Sequence, residues 1–252
     1  LDAVCGPDQS DVVLAERDGA IVASMPYFVK KKSMFQVISM PPLTLTMGVW
    51  IRYPESMNEA AKLSYEREIY SELIEQLPKV DYFSQQLHWD NTNWSIFYWR
   101  GFRQTSRYTY VLEDTSDLDR VYRNFSPQVI DDIRKAEPKL RIVETDDLER
   151  FQRTNSRMFE PGFPMPYSYE ALKAVDDACR QRGRRRILLA VDAKGEAHCA
   201  LYLVWDNRCT YYLLGGETPQ SKESGAHSLL VWHAIRETSK QRPCFDFHGG
   251  MP

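Results

Sequence analysis

Long apolar runs are missing from this chain: none of its 252 residues belongs to a stretch approaching the roughly 18 needed to cross a bilayer. The start, Leu1-Asp2-Ala3-Val4, lacks the charged-then-apolar layout of a secretory signal. Charge of one sign is missing too, since 32 basic side chains face 35 acidic ones for a formal charge of −3. No global field draws such a chain onto nucleic acid or anionic lipid, and only local patches have that capacity. Glycine (12) and proline (14) are too few for a low-complexity or collagen-like chain. The five cysteines, Cys5, Cys179, Cys199, Cys209 and Cys244, are odd in number and contain no C-x-x-C spacing. That pattern argues against a disulfide framework and a zinc ribbon, and for a reducing cytoplasm. G-x-S-x-G, H-E-x-x-H, Walker A and Rossmann fingerprints are absent. What remains is a globular composition, 43% hydrophobic and rich in Tyr (14), Phe (11) and Trp (6). A core of this size forms without a disulfide or metal.

The chain carries one pattern twice. Asp11 to Val29, turning at Arg17-Asp18-Gly19, and Arg186 to Trp205, turning at Asp192 to Glu196, both read as strand, tight turn, strand. Each is followed by a Thr-containing strand (Thr44 to Trp50; Thr210 to Gly216), a long helix (Asn58 to Leu77; Glu223 to Lys240) and a short aromatic strand (Val80 to Leu87; Pro243 to His248). Between the copies lie helical patterns at Leu118 to Phe125, Ser126 to Glu137, Leu148 to Glu160 and Tyr169 to Arg182. The expectation is a mixed α/β sheet in each of two domains, 1–112 and 113–252, with helices on the sheet faces.

Chemistry-bearing residues concentrate in the second copy. Along Cys244-Phe245-Asp246-Phe247-His248, period two sets the phenylalanines on one face and Cys244, Asp246 and His248 on the other. A carboxylate and an imidazole under a covering helix line a cavity or satisfy each other structurally. Gly215-Gly216 ends the preceding strand, and Ser221 to Ser224 opens a helix whose first turn holds Gly225, Ala226 and His227. Small residues and unpaired N–H groups at such a terminus form either an anion seat or a plain helix cap. Arg134 and Lys135 end a helix before Pro138, where they compensate its dipole or meet an anionic substrate. Arg180, Arg182, Arg184, Arg185 and Arg186 form the strongest basic run, either an RNA contact or a solvated helix end. Cys244 or Cys199 as a hydrolase nucleophile has no local motif behind it.

The helix ending Ile133-Arg134-Lys135-Ala136, the strand Leu140 to Val143, Tyr211-Tyr212-Leu213-Leu214-Gly215-Gly216, the helix with Leu230, Trp232 and Ile235, and Asp246-Phe247-x-Gly249 together resemble the FemAB-like branch of the GNAT acyltransferases. The resemblance covers mainly residues 113–250 and implies two tandem GNAT-like domains, the second continuing past the end of this sequence. It implies a bacterial, cytoplasmic enzyme moving an acyl or aminoacyl group from acyl-CoA or aminoacyl-tRNA to an amine on a small molecule or cell-wall precursor, without a metal. The donor would lie on the second domain and the acceptor in the cleft between the two. It further implies backbone N–H groups of Cys209 to Gly216 facing the carbonyl, and Gly215, Gly216, Lys222, Ser224, Gly225, Ala226 and His227 around the donor. Asp246 or His248 would relay the proton, Tyr212 would act as acid to the leaving group, and Arg134 and Lys135 would hold substrate. Lys222-x-x-Gly225-Ala226 only approximates the family's phosphate motif. A degenerate, non-catalytic module that binds an anionic glycan or RNA is the alternative.

Overall fold

The computed structural model describes residues 1–6, 8–156 and 165–248, with the backbone alone at 220 and 222. It divides into two compact units, Leu1–Ser106 and Arg107–Pro252.

In the first unit β1 (Ser10–Arg17) and β2 (Ala20–Lys32) form the expected hairpin, with Arg17 paired to Ala20 across the Asp18-Gly19 turn. Then come β3 (Phe35–Ile38), β4 (Trp50–Ile51), α1 (Glu59–Gln76), β5 (Tyr82–Phe83) and α2 (Ser95–Trp99). The Asn58 carboxamide caps α1 by accepting the Ala61 N–H at 2.9 Å, which fixes the helix start at the expected residue. The third strand differs from expectation. Of the Thr44 to Trp50 segment only Trp50 lies in a strand, β4, and β3 pairs antiparallel with β2 and parallel with β5. Pro41 and Pro42 supply no N–H to a ladder, and Leu43 (φ 54) and Gly48 (φ 131) turn the chain away, so the strand is interrupted between β3 and β4. The Val80 to Leu87 strand shortens likewise to β5 plus an isolated bridge between Met47 and Leu87. Val13, Ala15, Ala23, Met25, Ile69, Leu73 and Phe97 close the core between this sheet and α1.

The second unit runs β6 (Val111–Leu112), α3 (Leu118–Arg123), α4 (Pro127–Ala136), β7 (Arg141–Thr145), α5 (Leu148–Ser156), α6 (Tyr169–Gln181), β8 (Arg185–Val191), β9 (Ala197–Trp205), β10 (Cys209–Glu217), α7 (Pro219–Ser224), α8 (Ala226–Ser239) and β11 (Cys244–Asp246). The expected continuation of α5 to Glu160 lies outside the described residues. Its six-stranded sheet has the order β6-β11-β10-β9-β8-β7, parallel at β10 with β11 and antiparallel elsewhere. Because β6 pairs with β11, residues ahead of the expected 112/113 boundary belong to this unit. β9, β10 and β11 repeat the antiparallel-then-parallel pairing of β2, β3 and β5.

Two further expectations are corrected. The helix from Glu223 to Lys240 is two helices, α7 and α8, joined at Gly225 in the left-handed region (φ 71). Cys209 and Cys244, matched in register on β10 and β11 with Cα atoms 4.5 Å apart, are joined as a disulfide. Sequence spacing does not reveal a pair brought together by a parallel crossover, and the bridge removes both the cysteine argument for a reducing compartment and the Cys244 nucleophile. Among the described residues no helix is long and apolar enough to cross a membrane.

Register assigns the sheet's two faces. Cys199, Leu201 and Leu203 of β9, Tyr212 of β10 and Phe245 of β11 pack with α8 and α4, where Leu230, Ala234 and Ile235 are fully buried. Each buried Leu or Ile contributes on the order of 1.5–3 kcal/mol. Tyr202, one residue out of phase, points to the α5/α6 face, where it stacks edge-on against Phe151 and donates its hydroxyl to Asp176 at 2.8 Å.

Candidate active site

The pairing of β10 with β11 ends at Tyr211 and Asp246, while β10 continues to Glu217 with described partners on its β9 side alone. A bulge between Tyr212 and Leu214 falls at this split and breaks the register with β9. Among the described residues, backbone groups of β10 beyond the split therefore have no strand partner on that side.

On the α8 face of this split three side chains form a chain. Tyr212 and His227 meet through Oη and Nε2 at 3.1 Å, and His227 Nδ1 lies 3.6 Å from Glu217 Oε1. The second separation is an ion-pair distance rather than a hydrogen bond. A proton on Nδ1, facing the carboxylate, leaves Nε2 to accept the tyrosine hydroxyl. Burial, reinforced by the neighbouring Cys199 and Glu217, pushes the Tyr212 hydroxyl well above the ordinary tyrosine range. The group is thus held protonated, as an acid must be. His227 and Glu217 keep 40% and 29% of their side-chain surface exposed, so solvent reaches the far end of the chain. Sequence reading singled out Tyr212 and His227 separately and missed Glu217. Its signal was alternation: β10 residues 215 and 217 share one face, and Tyr212 joins them because the bulge resets the phase.

The glycines serve the protein's own packing. The room a side chain would take at Gly215 is filled by the Tyr212 ring, and at Gly216, on the opposite face, by Asn155, whose Oδ1 lies 2.6 Å from an ideal Cβ. Gly225 packs on α4, the Asp132 carbonyl carbon and Cα standing 2.8 and 2.9 Å from an ideal Cβ. The Cβ side of Gly225 therefore faces α4 and leaves no room for a side chain. The Ser224 hydroxyl also turns inward, 3.1 Å from His198 Nδ1 and 3.2 Å from the Ser221 carbonyl it donates to, while His198 Nε2 faces Asp192 at 3.5 Å. Ala226 is fully buried, and the Lys222 side chain lies outside the described residues.

Asp246 is separated from Tyr212 by the sheet. It pairs with Tyr211, on the face opposite α8, is 2% exposed, and accepts the Thr109 hydroxyl at 2.6 Å and the His248 backbone N–H at 2.7 Å. The described bond between Asp246 and His248 thus runs through the His248 backbone, and the Thr109 hydroxyl is a second donor to the carboxylate. Arg134 and Lys135 are exposed in the last turn of α4, where they compensate its dipole. The basic run is partly paired: Arg180 and Arg185 meet Asp146, Arg185 also Asp176, and Arg186 Glu144, while Arg184 and Arg182 donate to the neutral Asn207 Oδ1 and Ala178 carbonyl. Cys199 is fully buried and its thiol is pushed far up by that burial, which removes it as a nucleophile. Among the described residues no three His, Cys, Asp or Glu side chains are grouped to hold a metal ion.

The family model described as "Acetyltransferase (GNAT) domain" matches residues 100–251. The chain belongs to the GNAT acetyltransferase family. As a GNAT protein it is a transferase of acyl groups, and the match spans the unit that carries the split strands and the Tyr212 chain. Solved structures share its fold at low identity. A FemX crystal structure superposes with a TM-score of 0.65 at 12% identity, over 96% of this chain and 79% of that one. L-PGS from Bacillus licheniformis gives 0.52 at 11% over 95% and 68%, and a tandem GNAT protein from the clavulanic acid biosynthesis pathway gives 0.50 at 9% over 96% and 75%. These neighbours accord with a FemAB-like GNAT with two GNAT-like domains. No curated protein matches the chain by sequence.

Proposed function

We propose that the second unit transfers an acyl or aminoacyl group from an activated donor, a thioester or an aminoacyl ester, to an amine, with Tyr212, His227 and Glu217 handling the proton. The observation that carries this reading is the Tyr212–His227–Glu217 chain beside the stretch of β10 beyond its described pairing with β11. The amine nitrogen attacks the donor carbonyl carbon, a C–N bond forms, and the C–S or C–O bond to the leaving group breaks. Tyr212 gives its proton to the leaving sulfur or oxygen. The proton shed by the attacking nitrogen returns through His227, with Glu217 balancing the imidazolium charge. Backbone N–H groups at the split stabilise the tetrahedral oxygen, and positioning supplies much of the remaining rate.

The test is a mass-spectrometric screen of acyl-CoAs and aminoacyl-tRNAs against small amines and cell-wall precursors. Tyr212→Phe and Glu217→Gln are expected to lower kcat about 10²–10⁴-fold with little change in donor binding. Unchanged turnover in both variants refutes the relay. The alternative, a non-catalytic module holding an anionic glycan or RNA, predicts that a ligand raises the melting temperature with no product formed.

A further inference from the structure

Overall charge gives this chain no attraction to anionic surfaces, yet one local feature departs from that balance. Lys30, Lys31 and Lys32 end β2, the turn passes through Ser33 (φ 58) and Met34, and Phe35 opens β3. All seven residues from Lys30 to Gln36 are exposed, Met34 at 79% and Phe35 at 52%. Register sets Lys32 opposite Phe35 and Lys30 opposite Val37, which in turn pairs with Tyr82, itself 61% exposed. One face of the hairpin therefore carries two ammonium groups alongside two aromatic rings, and the third lysine stands on the other face. None of the three lysines forms an ion pair among the described residues. The one carboxylate recorded against the hairpin, Asp81, accepts the Gln36 N–H at 2.8 Å.

Exposed methionine and phenylalanine at a turn are costly to hydrate, and three unpaired lysines directly behind them select what covers them. A nucleic acid would satisfy the charges and leave Met34 in water. An anionic bilayer satisfies both, because phosphate headgroups lie level with the lysines while the turn reaches the acyl boundary. We infer that the β2–β3 hairpin docks the protein peripherally on an anionic lipid surface, with Met34 and Phe35 inserted and Lys30, Lys31 and Lys32 at the headgroups. This stands apart from the transfer reaction and does not depend on it.

The full chain is sedimented with vesicles of pure phosphatidylcholine and of equal parts phosphatidylcholine and phosphatidylglycerol. Partition is expected into the mixed vesicles only, weakening as sodium chloride is raised. Each lysine near such a surface is worth about fivefold, so Lys30→Gln, Lys31→Gln and Lys32→Gln together should weaken partition about a hundredfold. Met34→Ser with Phe35→Ser, which keeps the charges, should weaken it at least about tenfold. Unfolding midpoints of both variants should match the parent, since every altered side chain is exposed. No partition, equal partition into neutral vesicles, or partition unaffected by either variant overturns the inference. So does binding of a single-stranded RNA oligonucleotide that is lost in the lysine variant while vesicles remain unbound.

Discussion

Replacing Gly225 by alanine separates a glycine kept for packing from one kept for a ligand. The residue joins α7 to α8 at φ +71, and a methyl group there meets the Asp132 carbonyl carbon at 2.8 Å and its Cα at 2.9 Å. Backbone atoms of a packed helix do not swing aside as a flexible side chain does. Two costs add: about 1–2 kcal/mol for an alanine held left-handed and about 1–3 kcal/mol for overpacking. The total, about 2–5 kcal/mol, corresponds to a melting point lowered by about 4–20 °C for a chain of this size. Gly195→Ala is the control, because its φ is +82 and nothing lies within 4 Å of its ideal Cβ. It should lose only the conformational part, about 1–2 kcal/mol. Calorimetry on the two variants decides the matter. Equal losses would refute the steric argument, and an unchanged melting point at Gly225→Ala with lost donor binding would show that the glycine serves a ligand instead.

Asp246→Ala strands the Thr109 hydroxyl and the His248 N–H, so it should cost about 1–3 kcal/mol in urea denaturation while turnover per folded molecule is kept; collapse of turnover at full folding would return Asp246 to the chemistry. Burial works to raise the Asp206 carboxyl, but the N–H groups of Cys209 and Arg208 and the Tyr211 hydroxyl outweigh it and hold the group below the ordinary carboxylate range. Its stabilisation is therefore complete above about pH 4 and lost as pH falls through the lowered value. Asp206→Asn should destabilise at neutral pH and converge with the parent in acid, whereas a difference in urea midpoint independent of pH contradicts the hydrogen-bond account. In native protein, iodoacetamide at neutral pH should leave Cys199 unlabelled, and a non-reducing peptide map should recover Cys209 joined to Cys244; free thiols at both positions would disprove the bridge.

Local signals carried most of the architecture. The Asp18-Gly19 turn, the Asn58 cap and the Ser126-Pro127 start each act within four residues, and the elements they delimit stand where alternation and periodicity place them. The third strand of the first unit differs because its threonine-rich composition suits a strand while Pro41, Pro42, Leu43 and Gly48 interrupt the ladder around it. Everything that depended on which sheet face a residue meets was less legible. Asp246 and Tyr212 sit on neighbouring strands yet point apart, and only the register reveals it. Tyr212 shares the face of Glu217 because a bulge resets the phase of β10, and the Cβ side of Gly225 meets α4, an element the sequence pattern does not place there. Small residues at a helix start look the same whether a phosphate or a carbonyl of the chain itself comes close.

The short edge of the second sheet has a consequence for how the protein is made. β11 lies between β10 and β6, and β6 comes from the opposite end of the same unit. During synthesis β6 leaves the ribosome early and must wait, unpaired, until nearly the whole unit has followed. β8, β9 and β10 can pair as successive hairpins as they emerge, whereas the three-residue β11 follows only after α7 and α8 and joins β10 and β6 at once. Such non-local closure is slow. A translational pause or a truncation just before Cys244 would leave two open strand margins together, making that interval the one in which the nascent chain most needs a chaperone.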